Sequence, residues 1–152
     1  MVKSLVRIHF TSEGGKVTVV NYHILGELFG LLERIELING VAFADYDPDV
    51  KADVEKITEQ FIKPSVMEAT IDNQHAIAHA IAFYSQHEIA PIQLMKDRCQ
   101  ELTLPDAESW PRFFHNVGIS LFGEDYLSQN RLNAVEEFPD ENESGTILRR
   151  RH

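Results

Sequence analysis

The sequence has a single cysteine, Cys99, so no disulfide can form within the chain and the fold must rest on packing and hydrogen bonds. A lone thiol fits a reducing compartment. Long apolar runs are also missing. The longest nearly apolar stretch, Ala76–Phe83, is interrupted by His79 and falls far short of the roughly 20 residues a membrane helix needs. The start of the chain, with Lys3 and Arg7, offers no apolar core of the kind a signal peptide requires. A cytoplasmic protein is therefore expected, with no membrane association.

Basic residues are the scarcest charged class. Fourteen Lys and Arg stand against 24 Asp and Glu, a formal charge of −10. Such a chain repels phosphate backbones and anionic lipid surfaces, which argues against direct nucleic-acid binding. Residues 139–152 hold three acids and three arginines, so residues 1–138 keep 21 acids and 11 bases, and with them the whole −10. The negative charge thus belongs to the body of the protein. What remains is ordinary: 152 residues, 43% hydrophobic and 25% charged, the size and composition of one globular domain.

Periodicity sets the expected elements. Val6, Ile8 and Phe10 alternate with Arg7 and His9 as a half-buried strand does. After Gly14-Gly15, the β-branched run Lys16–Tyr22 predicts the second arm of a hairpin. Ile24, Leu28, Leu31, Leu32 and Ile35 then recur at helical spacing. Asn39-Gly40, flanked by Arg34–Ile38 and Val41–Asp45, has two readings: a second hairpin on a type I′ turn, or a helix that ends with Gly40 as its cap. The hairpin is the favoured reading.

Further along, Asp47 and Pro48 mark a helix to about Ile62 that Pro64 stops, and Ser65 with Glu68 has the pattern of a capping box for a third. That third helix would reach about His87, with a break near Thr70–Asn73. Pro91 opens a fourth, whose stripe is Ile92, Met95, Cys99 and Leu102. Ser109, Pro111 and Gly123 bracket a fifth containing Trp110, Phe113, Phe114, Val117 and Leu121, and Tyr126–Val135 predicts one more. The expectation is an α+β domain over residues 1–138, one or two N-terminal antiparallel hairpins forming a small sheet packed against about five helices. Residues 139–152, poor in apolar groups, read as a mobile charged tail.

Chemistry-bearing clusters are few. Glu68, Asp72, His75 and His79 are spaced by four, three and four residues, which puts them on one face of a continuous helix. Carboxylates and imidazoles in that pattern could hold a divalent metal such as zinc. The sequence is not H-E-x-x-H, because Ala76 occupies the place of the general base. A solvated helix face explains the same residues.

Asp45, Asp47 and Asp49 fail as a calcium loop. The sixth position is Val50 rather than Gly and the twelfth is Lys56 rather than Glu. Cys99 sits in an apolar stripe and reads as a core residue, and Trp110, Phe113 and Phe114 as a helix face packed inward. Gly26 and Gly30 have the spacing of a close helix contact, compatible with a homo-oligomer. No cofactor motif is present.

The preferred functional expectation is a non-catalytic regulatory or binding protein that engages a basic partner through its acidic surface, as an inhibitor or a competitor for a nucleic-acid site. The alternative is a metal-dependent hydrolase using Glu68, Asp72, His75 and His79.

Overall fold

The computed structural model describes residues 7–10, 16–87, 90–126, 135–137 and 148, with side-chain surroundings for 20–87, 90–126 and 148. The strands among the described residues lie at the two ends of the chain. Strand β1 (Arg7–Phe10) pairs antiparallel with β2 (Lys16–Val20), Ile8 opposite Thr18, and β3 (Val135–Glu137) runs parallel to β2. The turn at residues 11–15, the helix expected over Tyr126–Val135 and most of the expected tail lie outside the described residues. Leu148 is half-buried against the core.

From Asn21 to Tyr126 every regular element among the described residues is helical, and the core is built between helices, not on a sheet face. The expected α+β class is therefore wrong: this is a mainly helical fold. Of the residues that would have supplied a second hairpin, Arg34–Ile38 belong to helix α1 (His23–Asn39), and Val41–Asp45 form no strand. Asn21 starts that helix, its Oδ1 accepting the His23 N–H at 3.0 Å. Gly40 ends it, with φ at +67° and its N–H donated to the Glu36 carbonyl at 3.1 Å. A left-handed glycine serves an αL helix cap and a type I′ turn equally well. The backbone decides between them, since the helix runs unbroken to Asn39 and the Gly40 N–H closes it on Glu36.

Proline gives the second correction. Helix α2 starts at Lys51, not Pro48, with Val50 at the N-cap, and Pro64 does not end it. The backbone passes from α2 (Lys51–Ile57) through a π-helical turn (Thr58–Ile62) directly into α3 (Lys63–Glu68). Within the turn, Lys63 N–H reaches back five residues to the Thr58 carbonyl. This widened spacing relieves the proline's clash with the preceding turn, where its missing N–H has no bond to give. Ser65 thus sits inside a helix instead of capping one. The real break is at Ala69, whose ψ of 162° is extended, and Thr70 caps α4 (Ile71–Tyr84) by accepting the Asn73 N–H at 3.1 Å.

Helix α5 is short, Ile92–Asp97, and Leu102 is buried from the loop that follows it. Helix α6 (Trp110–Phe122) begins at Ser109, whose Oγ accepts the Arg112 N–H at 3.2 Å. Its inner face meets α1: the Phe29 ring lies 5.1 Å from Trp110, 5.6 Å from Phe114 and 6.3 Å from Phe113. Trp110 keeps its one donor satisfied at the core's edge, Nε1–H to Gln93 Oε1 at 2.7 Å. Helix α4 is buried nearly all round, through Ala76, Ile77, Ala78, Ala80, Ile81, Ala82 and Tyr84. No helix among the described residues is long and apolar enough to cross a membrane.

Several carboxylates act as staples for irregular backbone. Glu33 Oε2 accepts the Glu101 N–H at 2.9 Å. Glu36 accepts the Thr103 N–H at 3.1 Å and the Thr103 hydroxyl at 2.8 Å, and that hydroxyl in turn accepts the Phe43 N–H at 2.9 Å. Asp49 accepts the Glu108 N–H at 2.9 Å just ahead of α6, where the helix dipole also favours a negative charge. Hydrogen bonds to charged acceptors are among the stronger ones, so Glu36→Ala is expected to cost about 1–3 kcal/mol in urea unfolding. An exposed glutamate without these bonds, such as Glu55, is expected to cost under about 0.5 kcal/mol when replaced by Ala.

Candidate functional site

One concave feature is an open polar groove of about 230 Å³ lined by Lys51, Glu55, Glu59, Asn116, Ile119, Ser120 and Glu124. Two stripes of fourfold spacing make it. Lys51, Glu55 and Glu59 follow one another along α2 and the π-helical turn, while Asn116, Ser120 and Glu124 follow along α6 and just beyond. The stripes are tied together where the Ser120 hydroxyl donates to Glu59 Oε1 at 3.0 Å. Lys63, one turn on, pairs with the same carboxylate at 3.4 Å. Helices α2 and α6 take their places because Val54 and Ile57 on one, and Val117 and Leu121 on the other, turn into the shared core.

Three carboxylates and one ammonium line this groove, so it favours cationic groups. No histidine or cysteine is among the lining residues, and Ser120 donates to a carboxylate rather than to an imidazole. The groove thus lacks a nucleophile–base relay of the serine–histidine kind. Sequence reading passed over it. The available signal was the i, i+4 repetition of Lys51, Glu55 and Glu59, but nothing in the sequence says that this stripe faces Asn116, Ser120 and Glu124.

The four residues singled out from the sequence do not share one helix. Glu68 is the last residue of α3, and the extended backbone at Ala69 separates it from Asp72, His75 and His79 on α4. Glu68, Asp72 and His75 are exposed, and His79 is half-buried. Among the described residues no group of three or more His, Cys, Asp or Glu is arranged to hold a metal ion. The aspartates of the failed calcium loop have local partners: Asp47 accepts the Asp49 N–H and Asp53 accepts the Asp47 N–H, both at 2.9 Å.

His79 has one unusual property. Its Nδ1 is buried with no hydrogen-bond partner among the described residues, and burial, helped by the neighbouring His75, holds its pKa below the ordinary value of 6.5. The fold therefore prefers the neutral ring. Above pH 6.5 neither folded nor unfolded chain is protonated there, and the stability is fully present. As pH falls below 6.5, the unfolded chain takes up the proton first and stability declines until the lowered folded pKa is passed. Melting temperatures measured from pH 7.5 to 5 should fall less in His79→Gln than in the wild type; parallel curves would contradict this account.

Cys99 is half-buried against the core, and its thiol is held above its ordinary pKa by burial and then by Glu33 and Glu27, with Lys96 and Arg34 opposing. A protonated thiol in such a setting is a poor nucleophile. Trp110, Phe113 and Phe114 are buried, which removes them as a stacking surface. Gly26 is used within the chain, since a methyl group there would meet Met95 Sδ at 3.1 Å, while Gly30 faces open space. No family model, curated protein or solved structure matches the chain.

Proposed function

We propose that this protein is a non-catalytic binding or regulatory protein that engages a basic partner protein through its acidic surface, with the groove between α2 and α6 as the centre of contact. The observation that supports this reading is the set of three carboxylates, Glu55, Glu59 and Glu124, lining the groove beside a single lining ammonium. The setting reinforces it: residues 20–126 contain 18 acids and seven bases. Glu33, Glu36, Asp49 and Asp53 hold backbone N–H groups, so their charge serves the fold as well. Glu55, Glu59 and Glu124 are exposed, with Glu59 also accepting from the Ser120 hydroxyl and paired with Lys63. A field of this sign raises the encounter rate with lysine- and arginine-rich surfaces and turns away polyanions. An inhibitor that occupies the nucleic-acid site of a basic protein is one form this role would take. The unpaired Cys99 fits a cytoplasmic setting for it.

The test is affinity capture with wild-type protein and with the combined Glu55→Gln, Glu59→Gln, Glu124→Gln variant, followed by direct binding measurements on whatever basic protein is retained. The wild type should hold a basic partner, and the neutralised variant should bind it about tenfold or more weakly, the scale of a few screened charge contacts. Equal binding by both proteins would overturn the groove's role. Absence of any specific basic partner would overturn the reading itself.

A further inference from the structure

We infer that Lys51 sets the specificity of the groove: the segment of the basic partner that enters it carries one acidic side chain among its basic ones, and the Lys51 ammonium receives that acid. This rests on the groove reading above and deepens it. Lys51 is exposed, is the first residue of α2 and lines the groove together with Glu55 and Glu59.

The fold gains nothing from a positive charge there. Helix N-termini carry partial positive charge, so an ammonium in the first turn is disfavoured, and a lysine four residues ahead of a glutamate is the weaker order for a helix pair. Among the described residues Lys51 makes no ion pair, whereas Lys63 reaches Glu59 at 3.4 Å and Lys96 reaches Asp106 at 2.6 Å. Glu124 repeats the pattern with the signs reversed. It directly follows Gly123, the C-cap of α6, where the helix end is negative and a carboxylate is disfavoured, and it too has no ion pair among the described residues. Two charges of opposite sign, each set against its own helix dipole, therefore line one groove. Local stability explains neither, and departures of this kind collect at functional surfaces.

The charge pattern chooses the occupant. Glu59 is already engaged by the Ser120 hydroxyl and by Lys63, which leaves Glu55 and Glu124 as the carboxylates with charge to offer and Lys51 as the one cation among the described lining residues. A run of lysines or arginines alone satisfies the two carboxylates and is repelled by Lys51. A segment with both bases and an acid satisfies all three. The helix also sets the spacing: Lys51 and Glu55 are four residues apart, roughly 6 Å along the axis, and an extended segment covers that distance with about two residues. Other nearby cations do not offer the same contact, because Lys63 is held by Glu59 while Lys56 and Arg112 are not among the lining residues.

Two synthetic peptides of equal length and net charge test this: a lysine–serine peptide, and one in which a glutamate is placed two residues from a lysine and balanced by one added lysine. Binding of each is measured at low salt with the wild type, with Lys51→Gln, with Lys56→Gln as the same loss of charge outside the groove, and with the combined Glu55→Gln, Glu59→Gln, Glu124→Gln variant. The wild type should prefer the glutamate-bearing peptide about threefold, the scale of one screened ion pair. Lys51→Gln should abolish that preference, chiefly by binding the lysine–serine peptide more tightly, and Lys56→Gln should retain it. Thermal unfolding supplies a separate readout, since Lys51→Gln should melt no lower than the wild type. A preference that is absent from the wild type, survives Lys51→Gln or is lost in Lys56→Gln overturns the role of Lys51, as does a lowered melting temperature for Lys51→Gln. The groove reading stands in those cases if the triple glutamine variant still weakens both peptides. Failure of both peptides to bind the wild type, or equal binding by the triple variant, overturns the groove and Lys51 together.

Discussion

Phe29→Ala is expected to lower the free energy of unfolding by about 3–5 kcal/mol, the usual range for removing a buried aromatic ring. Phe29 has no exposed surface and is the α1 residue that meets Trp110, Phe113 and Phe114, so its loss empties the seam between α1 and α6. Neighbouring rings cannot collapse into the gap easily, because Trp110 is also fixed by its bond to Gln93. Domains of this size are stable by about 5–15 kcal/mol, so the variant should be near the edge of folding at room temperature. Urea titration followed by tryptophan fluorescence gives the change directly through the midpoint. A loss under about 1 kcal/mol would mean that the aromatic seam is not central to the fold.

The second large effect runs against simple helix propensity. Gly118 lies in the middle of α6, where alanine would ordinarily gain about 1 kcal/mol. Here a methyl group would lie 2.6 Å from Tyr126 Oη and 2.8 Å from Ile81 Cγ2. Tyr126 is wholly buried and Ile81 comes from the buried helix α4, so neither can retreat into solvent. Overpacking of this kind costs about 1–3 kcal/mol, and Gly118→Ala should therefore be destabilised despite the better helix former. Differential scanning of the two proteins settles the sign, and a higher melting temperature for Gly118→Ala would contradict the packing described around Tyr126.

Helix α6 shows both what was legible in the sequence and what was not. Ser109, Pro111 and Gly123 frame α6 closely, because caps and prolines act through local backbone chemistry. Phe113, Phe114, Val117 and Leu121 lie on the face their spacing assigns. Gly118 carried no such mark, since what excludes a side chain there comes from Tyr126 and from α4. Gly40 was read correctly as a residue needing positive φ and placed in the wrong motif, because two motifs share that requirement. Pro64 misled for a different reason: a π-helical turn allows a helix to continue past a proline, and local sequence does not announce it.

The fold class was lost through the hairpins and not through Pro64, since the chain on both sides of that proline was expected to be helical. Ending α1 early created a second hairpin where the chain continues as helix to Asn39. The groove was not legible although both helices were, because Glu55 and Glu59 gain a common face with Asn116, Ser120 and Glu124 only once the two helices pack together. The Glu68 to His79 face suffered the reverse fate. Its spacing assumed one unbroken helix, and the break at Ala69 separates Glu68 from the rest. Total charge was fully legible. Its division between acids that staple the backbone and acids that face outward was not, since only the folded chain brings Glu36 to Thr103 and Asp49 to Glu108.

The central claim, that outward-facing carboxylates mediate binding to a basic protein, is tested most directly by the dependence of affinity on ionic strength. Titrations of the wild type and the Glu55→Gln, Glu59→Gln, Glu124→Gln variant against the same lysine–serine peptide, over about a tenfold range of salt, supply that dependence. The account predicts steep weakening with salt for the wild type and a shallower slope, from weaker starting affinity, for the variant. Affinity that is independent of salt, or identical slopes for the two proteins, would contradict it.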